Sequence, residues 1–272
     1  MKSMGLQGGQ YRPLTQTQIK TIHEAAVNIL ESTGITYEHG LEDMIQMLEE
    51  CGITVDKDRN IIRFSKQMIE TNIAKAPDKV ILCGQDSKND MGLTANRVHL
   101  GTGGAAVNIL DPDTGDVRAT TLKDLYDVTR LVDQLDHIHF LVRPCIPTDI
   151  GEDDYDINVY YTCLSATGKH VMSGVNNEKG LYDVIEMAAM IVGGKDQLKK
   201  RPVISVITSF AISPLKLCTQ STKIMLEAVR NHVPVALSAA SMAGSTSPLT
   251  MAGTLVQLHA EQLAGITICQ LT

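Results

Sequence analysis

Residues 202–239 read PVISVITSFAISPLKLCTQSTKIMLEAVRNHVPVALSA. Two short apolar runs, PVISVIT and PVALSA, flank a segment patterned as an amphipathic helix, SPLKLCTQSTKIMLEAVRNH. The runs are continuously apolar rather than alternating, the pattern of strands covered on both faces. Strand, helix and strand in ~30 residues is the spacing of a parallel pair joined by a helical crossover. The same rhythm continues outward. Before it stand IHFLVRP, the helix DYDINVYYTCLSAT, the strand KHVMSGV and the helix EKGLYDVIEMAAMIVGG. After it come the helical SPLTMAGTLVQLHAEQLAG and ITICQL, which is expected to be a last strand. Such alternation implies a parallel sheet, and the fold class expected is α/β, a (β/α)8 TIM-type barrel. A closed barrel needs eight strands, more than are legible here. The barrel is therefore expected to be incomplete in this chain, as part of a longer polypeptide.

Upstream the pattern changes. TQTQIKTIHEAAVNILEST (15–33), LEDMIQMLEECG (41–52) and SKQMIETNIAKAP (65–77) carry helical spacing, with Gly34, Gly52 and Pro77 as stop signals. KVILCG and RVHLG read as short strands. DPDTG between VNIL and VRATT marks a hairpin. Thr121 precedes the helix TLKDLYDVTRLVDQL as N-cap, with Asp124 completing a capping box. The expected organisation is a helical N-terminal segment over 1–95 and a partial (β/α) barrel over 96–272.

Composition narrows the function. With 24 basic and 31 acidic residues the net charge is −7, which disfavours nucleic acid and anionic membrane as partners. No apolar run reaches the length of a membrane span, and the N-terminus lacks a signal-peptide core. The six cysteines include no CxxC pair and suit buried thiols in a reducing cytoplasm, the expected location. No HExxH, nucleophile elbow, Cys–His pair or metal-type spacing is present, so no metal site and no catalytic residue is assigned. Gly101-Thr-Gly-Gly104 lacks the Lys-Ser/Thr and the following helix of a phosphate loop, and reads as a turn before a strand.

In parallel architectures ligands gather at the C-terminal strand ends. That rule selects the loops after each strand, and from them the substrate-binding candidates Asp149, Asn176, Ser209, Ser241, Thr246 and Gln270. The loop Ser241–Gly253, SMAGSTSPLTMAG, is built almost wholly from small residues and hydroxyls. Ser213-Pro-Leu and Ser247-Pro-Leu are both expected to start helices, Ser as N-cap and Pro at the first helical position. Small residues keep bulk away from the strand end. His259 and Glu261 are expected on the helix that covers the sheet.

Four stretches together, GTGGAAVNILDPDTGDVRATTLKDL, ATGKHVMSG, PVISVITSFAISPL and VPVALSAASMAGSTSPLTMAGTLVQLHAEQLAGITICQL, resemble the trimethylamine methyltransferase family. This family of corrinoid-protein-dependent enzymes also includes the glycine betaine methyltransferases, and some of its members take part in methanogenesis. The resemblance implies a barrel longer than this chain, and methyl transfer from a tertiary or quaternary methylamine, trimethylamine or a betaine, to the cobalt of a cognate corrinoid protein. It implies no directly bound cofactor, the cobalamin residing on the partner, and a homo-oligomer at full length. Cobalt(I) is itself the nucleophile in such chemistry, so the enzyme's task is to position the amine and exclude water. One branch carries pyrrolysine; none is visible in this sequence. Two other readings remain beside this one: a barrel acting on a small phosphorylated substrate, and an inactive truncated fragment.

Overall fold

The computed structural model describes residues 5–94 and 96–272. Residues 1–4 and the expected segment boundary at position 95 lie outside the described residues. The helices are α1 Gln16–Ser32, α2 Glu42–Glu50, α3 Lys66–Lys75, α4 Leu122–Gln134, α5 Tyr155–Ala166, α6 Glu178–Val192, α7 Lys195–Lys200, α8 Thr219–Arg230 and α9 Met251–Leu271. The chain forms two compact units. Among the described residues the first comprises 5–9, 78–94, 96–207 and 231–234, and the second 10–77, 208–230 and 235–272.

The first unit is mixed α/β around a parallel sheet. Phe140–Val142 pairs with His170–Ser173, which pairs in turn with the strand opening at Ile204. Period-two alternation gives the sheet two different faces. Leu141, Val171, Ile204 and Val206 are fully buried on one, against α5. Phe140, Val142 and Met172 on the other are only half-buried, and Ile207 is exposed. The glycine run 101–104 lies along this sheet, bridged in parallel from Gly101 to Phe140 and from Ala106 to Cys145. A Cβ on Gly101 would meet the Phe140 ring at 2.5 Å, so glycine is required by close approach and not by a phosphate. Tyr160 of α5 is wholly buried, and its hydroxyl donates to the carbonyls of Ser173 and Ser205, tying helix to sheet. Lys169 is buried with its ammonium on three carbonyls, Val132, Leu135 and Ile138, where α4 ends. It satisfies acceptors that a helix C-terminus otherwise leaves open.

The second unit packs α1 and α3 on α9. Its five-stranded sheet runs in the order Ala211–Ile212, Lys216–Leu217, Ile35–Tyr37, Ile61–Arg63, Thr54–Asp56. Ala26, Leu30, Ile62, Phe64, Ala260, Ala264 and Ile268 share one core. Thr121 caps α4 as its sequence predicts. Thr15 and Thr121 close capping boxes, and Ser65 caps α3.

Two expectations fail. ITICQL is not a strand but the last part of α9, which runs unbroken to Leu271. β-branched Ile266, Thr267 and Ile268 favour strands in isolation. Here burial of Thr267 and Ile268 in the core overrides that propensity. Gly265 lies inside this helix where a Cβ would meet the Phe210 ring at 2.5 Å, so glycine is required there by close approach. Neither Ser-Pro-Leu starts a helix. Ser213-Pro214 is a cis peptide in a tight hairpin, with Leu215 at φ 51°, and α8 begins later at Thr219. After Ser247-Pro248, Thr250 is the N-cap of α9, and its hydroxyl takes the Gly253 amide at 3.2 Å.

Candidate functional site

The first unit ends its parallel strands in polar loops that are committed to structure. Asp149 is exposed, and its carboxylate accepts the Leu122 amide at 2.8 Å, at the start of α4. Asn176 is exposed and donates its backbone amide to Asp156 Oδ2 at 2.8 Å. Asp156 is buried beneath the first turn of α6, where anionic oxygens are favoured by free amides. Burial still holds its pKa above the ordinary value, against those bonds and the charge of Arg143. Arg143 lies over the Tyr155 ring, 5.7 Å from its centre. The buried thiol of Cys163 is pushed up to about 12 by desolvation, and in the second unit burial does the same to Cys269. Neither is a competent nucleophile. Among the described residues no group of three or more His, Cys, Asp or Glu is arranged to hold a metal ion.

The second unit brings polar groups together at the small-residue loop. Ser241, at its start, is half-buried, and its Oγ lies 2.8 Å from Ser213 Oγ. Ser213 Oγ donates to Glu261 Oε2 at 2.9 Å, and the Leu215 amide donates to Oε1 at 3.0 Å. Ser241 Oγ reaches Oε2 at 3.3 Å. Gln257 Nε2 donates to Oε1 at 3.2 Å, to the Thr246 carbonyl at 2.8 Å and, more weakly, to Ser241 Oγ at 3.4 Å. Thr246 Oγ1 accepts the Met242 amide at 2.9 Å and closes the loop on itself. Glu261 is completely buried, while both serines keep partial exposure. All four donors to this carboxylate are neutral. They meet the hydrogen-bond need of a buried carboxyl group.

The sequence-selected residues therefore divide. Ser241 and Thr246 sit in this cluster. Ser209 is an exposed residue after the strand Ile204–Thr208. Gln270 is a half-buried residue of α9, not of a strand end. Asp149 and Asn176 belong to the first unit. Strand-end reasoning missed Ser213, Gln257 and Glu261. One signal was available: Gln257 and Glu261 are spaced i, i+4, so they share a face of a helix that otherwise presents Ala260, Leu263, Ala264 and Ile268 to the core.

The whole described chain has a match at family level. The family model described as "Trimethylamine methyltransferase (MTTB)" covers residues 3–272. The chain belongs to the trimethylamine methyltransferase family. Trimethylamine methyltransferase MttB of Desulfitobacterium hafniense is 32% identical over 255 residues, 94% of this chain and 51% of that protein. A glycine betaine methyltransferase of the same species is 29% identical over 263 residues, 96% of this chain and 53% of the relative. MttB of Methanosarcina barkeri is 28% identical, over 98% and 54%. The chain thus spans about half the length of the curated trimethylamine methyltransferase family members it matches. A crystal structure of the hydroxylamine MtmB complex aligns with TM-score 0.50 and 13% identity over 97% of this chain and 59% of the other, a likeness of fold alone.

Proposed function

We propose that this chain contributes to a methyltransferase that moves a methyl group from a tertiary or quaternary methylamine, trimethylamine or a betaine, to a cognate corrinoid protein, within a (β/α)8 barrel. The family match over residues 3–272 carries this reading. A glycine betaine enzyme among the relatives supports the breadth of the amine class. When present, the partner's corrinoid would supply a cobalt nucleophile, so this chain needs no nucleophile of its own. Its residues would hold the amine and keep water from it. The cluster suits that task. Gln257 and Glu261 stand on a rigid helix and fix the two serine hydroxyls. Ala243 and Gly244 are exposed beside the serines, in a loop that also exposes the apolar side chains of Met242 and Leu249.

The test uses the protein as its cell makes it. Mixed with its reduced corrinoid protein and a panel of trimethylamine, glycine betaine and related amines, it should give the absorbance change of cobalt methylation with at least one amine. No methylation with any of them would overturn the proposal.

A further inference from the structure

The hydrogen-bond order in the second unit determines what the site offers a ligand. Glu261 only accepts, and it draws protons inward. Ser213 gives its hydroxyl proton to Oε2 at 2.9 Å. The hydroxyl proton of Ser241 goes to Ser213 Oγ at 2.8 Å or to Oε2 at 3.3 Å, again inward. The Gln257 amide protons are spent on Glu261 and the Thr246 carbonyl. Once the donors are committed, the half-exposed hydroxyls present lone pairs outward. Behind them lies a buried carboxylate whose partners are all neutral. Such a surface attracts a cation and has no proton to give an anion.

The shape narrows the cation. A bare metal ion needs many oxygens at short range, whereas this wall offers two half-exposed hydroxyls beside the exposed apolar residues Met242, Ala243 and Leu249. A methylated ammonium carries its charge on C–H groups, which make weak, loosely directed contacts to oxygen and pack against methyls. We propose that Ser213, Ser241 and Glu261 form the cation-recognising wall for the ammonium group of the substrate, with Gln257 and Thr246 holding it in shape. This rests on the methyltransferase reading for the identity of the cation. It places recognition on oxygen lone pairs and a buried charge in this unit.

The experiment measures binding, not turnover. By calorimetry on the protein as its cell makes it, choline is compared with 3,3-dimethylbutanol, and glycine betaine with 3,3-dimethylbutanoate. In each pair carbon replaces the charged nitrogen at the same shape. The wild type should bind choline or glycine betaine about tenfold or more tighter than its carbon twin, an electrostatic preference for the ammonium nitrogen. Ser241→Ala and Glu261→Gln should each erase most of that preference while leaving the carbon twin within about twofold. A variant that loses both ligands alike has lost its fold, so Ser213→Ala gives an independent reading of the same ratio. Equal binding of cation and twin by the wild type would overturn the proposal. So would a preference that survives in both Ser241→Ala and Ser213→Ala, or displacement of choline by equimolar potassium chloride. Cation preference without cobalt methylation would sink the proposed function and leave the wall standing. Methylation without the preference would do the reverse.

Discussion

Asp156 and Glu261, a buried carboxyl group from each unit, are dressed differently. Asp156 in the first unit takes the Asn176 backbone amide, and Gly180 of α6 presses against it so closely that a Cβ there would lie 2.1 Å from Oδ2. Its partners are main chain, and its work is to set where α6 begins. Glu261 in the second unit takes three side-chain donors and one amide, and two of those side chains remain partly open to solvent. A carboxylate bound by backbone fixes a fold. One bound by hydroxyls at a surface polarises them, and the difference separates a structural anion from a functional one.

The comparison breaks most visibly at Gly180. Gly180→Ala forces a buried oxygen or the helix to shift and should cost about 3 kcal/mol, the scale of overpacking in a rigid site. Urea unfolding checks it; a loss below about 1 kcal/mol would mean that Asp156 is free to move.

pH sharpens the contrast from another side. His170 is buried between the Cys83 carbonyl and Ser205 Oγ, and burial pushes its pKa down to about 4. The unfolded chain titrates this group near ~6.5. Between these values the unfolded state binds more protons, so stability is full above ~6.5 and falls as the pH drops toward about 4. The loss at the lower end should approach about 3 kcal/mol from this residue. Asp156 opposes it at lower pH, because a raised carboxyl pKa makes protonation favour the folded state. Denaturant midpoints across this window, with His170→Asn as reference, should flatten when the histidine is gone; an unchanged slope would assign the pH dependence elsewhere.

Smaller effects follow at exposed positions. Ser241→Ala should change unfolding free energy by less than about 1 kcal/mol, since its partly exposed hydroxyl bonds are replaced by water. A larger cost would make the cluster a structural device like Asp156. Asp149→Ala removes an acceptor at the start of α4 and should cost about 0.5–1 kcal/mol, measurable by thermal unfolding. A change in amine affinity there would return Asp149 to the list of substrate contacts.

The sequence made local structure legible where one signal acted alone. Thr121 starts a helix because a single side-chain oxygen decides a cap. The hairpin around DPDTG formed for the same reason, with Asp111 taking the Asp113 and Thr114 amides. Legibility failed where a tertiary partner cast the deciding vote. Nothing in ITICQL announces that Thr267 and Ile268 will be buried in the core of the second unit as part of a helix. Nothing local in Ser213-Pro214 says that a carboxylate from residue 261 will take its hydroxyl and the Leu215 amide, holding a hairpin where a helix start was expected. The site was half visible for that reason. Ser241 and Thr246 stand in a loop whose composition is odd by itself, while Ser213 and Glu261 gain meaning only together.

The second unit is written in three separated pieces of chain, and α1 finds its main helical partner in α9. His23 Nδ1 meets His259 Nε2 at 3.0 Å across that junction, 236 positions apart in the sequence. During synthesis the first piece, with α1 and α3, leaves the ribosome long before its partner exists. At ~5–20 residues per second the delay is roughly 10–40 s. For that interval the apolar faces of Ala26, Val27, Leu30 and Ile69 lack the helix that later covers them, an exposure that invites chaperone capture on the nascent chain. The order of translation, rather than the strength of any one contact, decides when this half of the molecule becomes safe from aggregation.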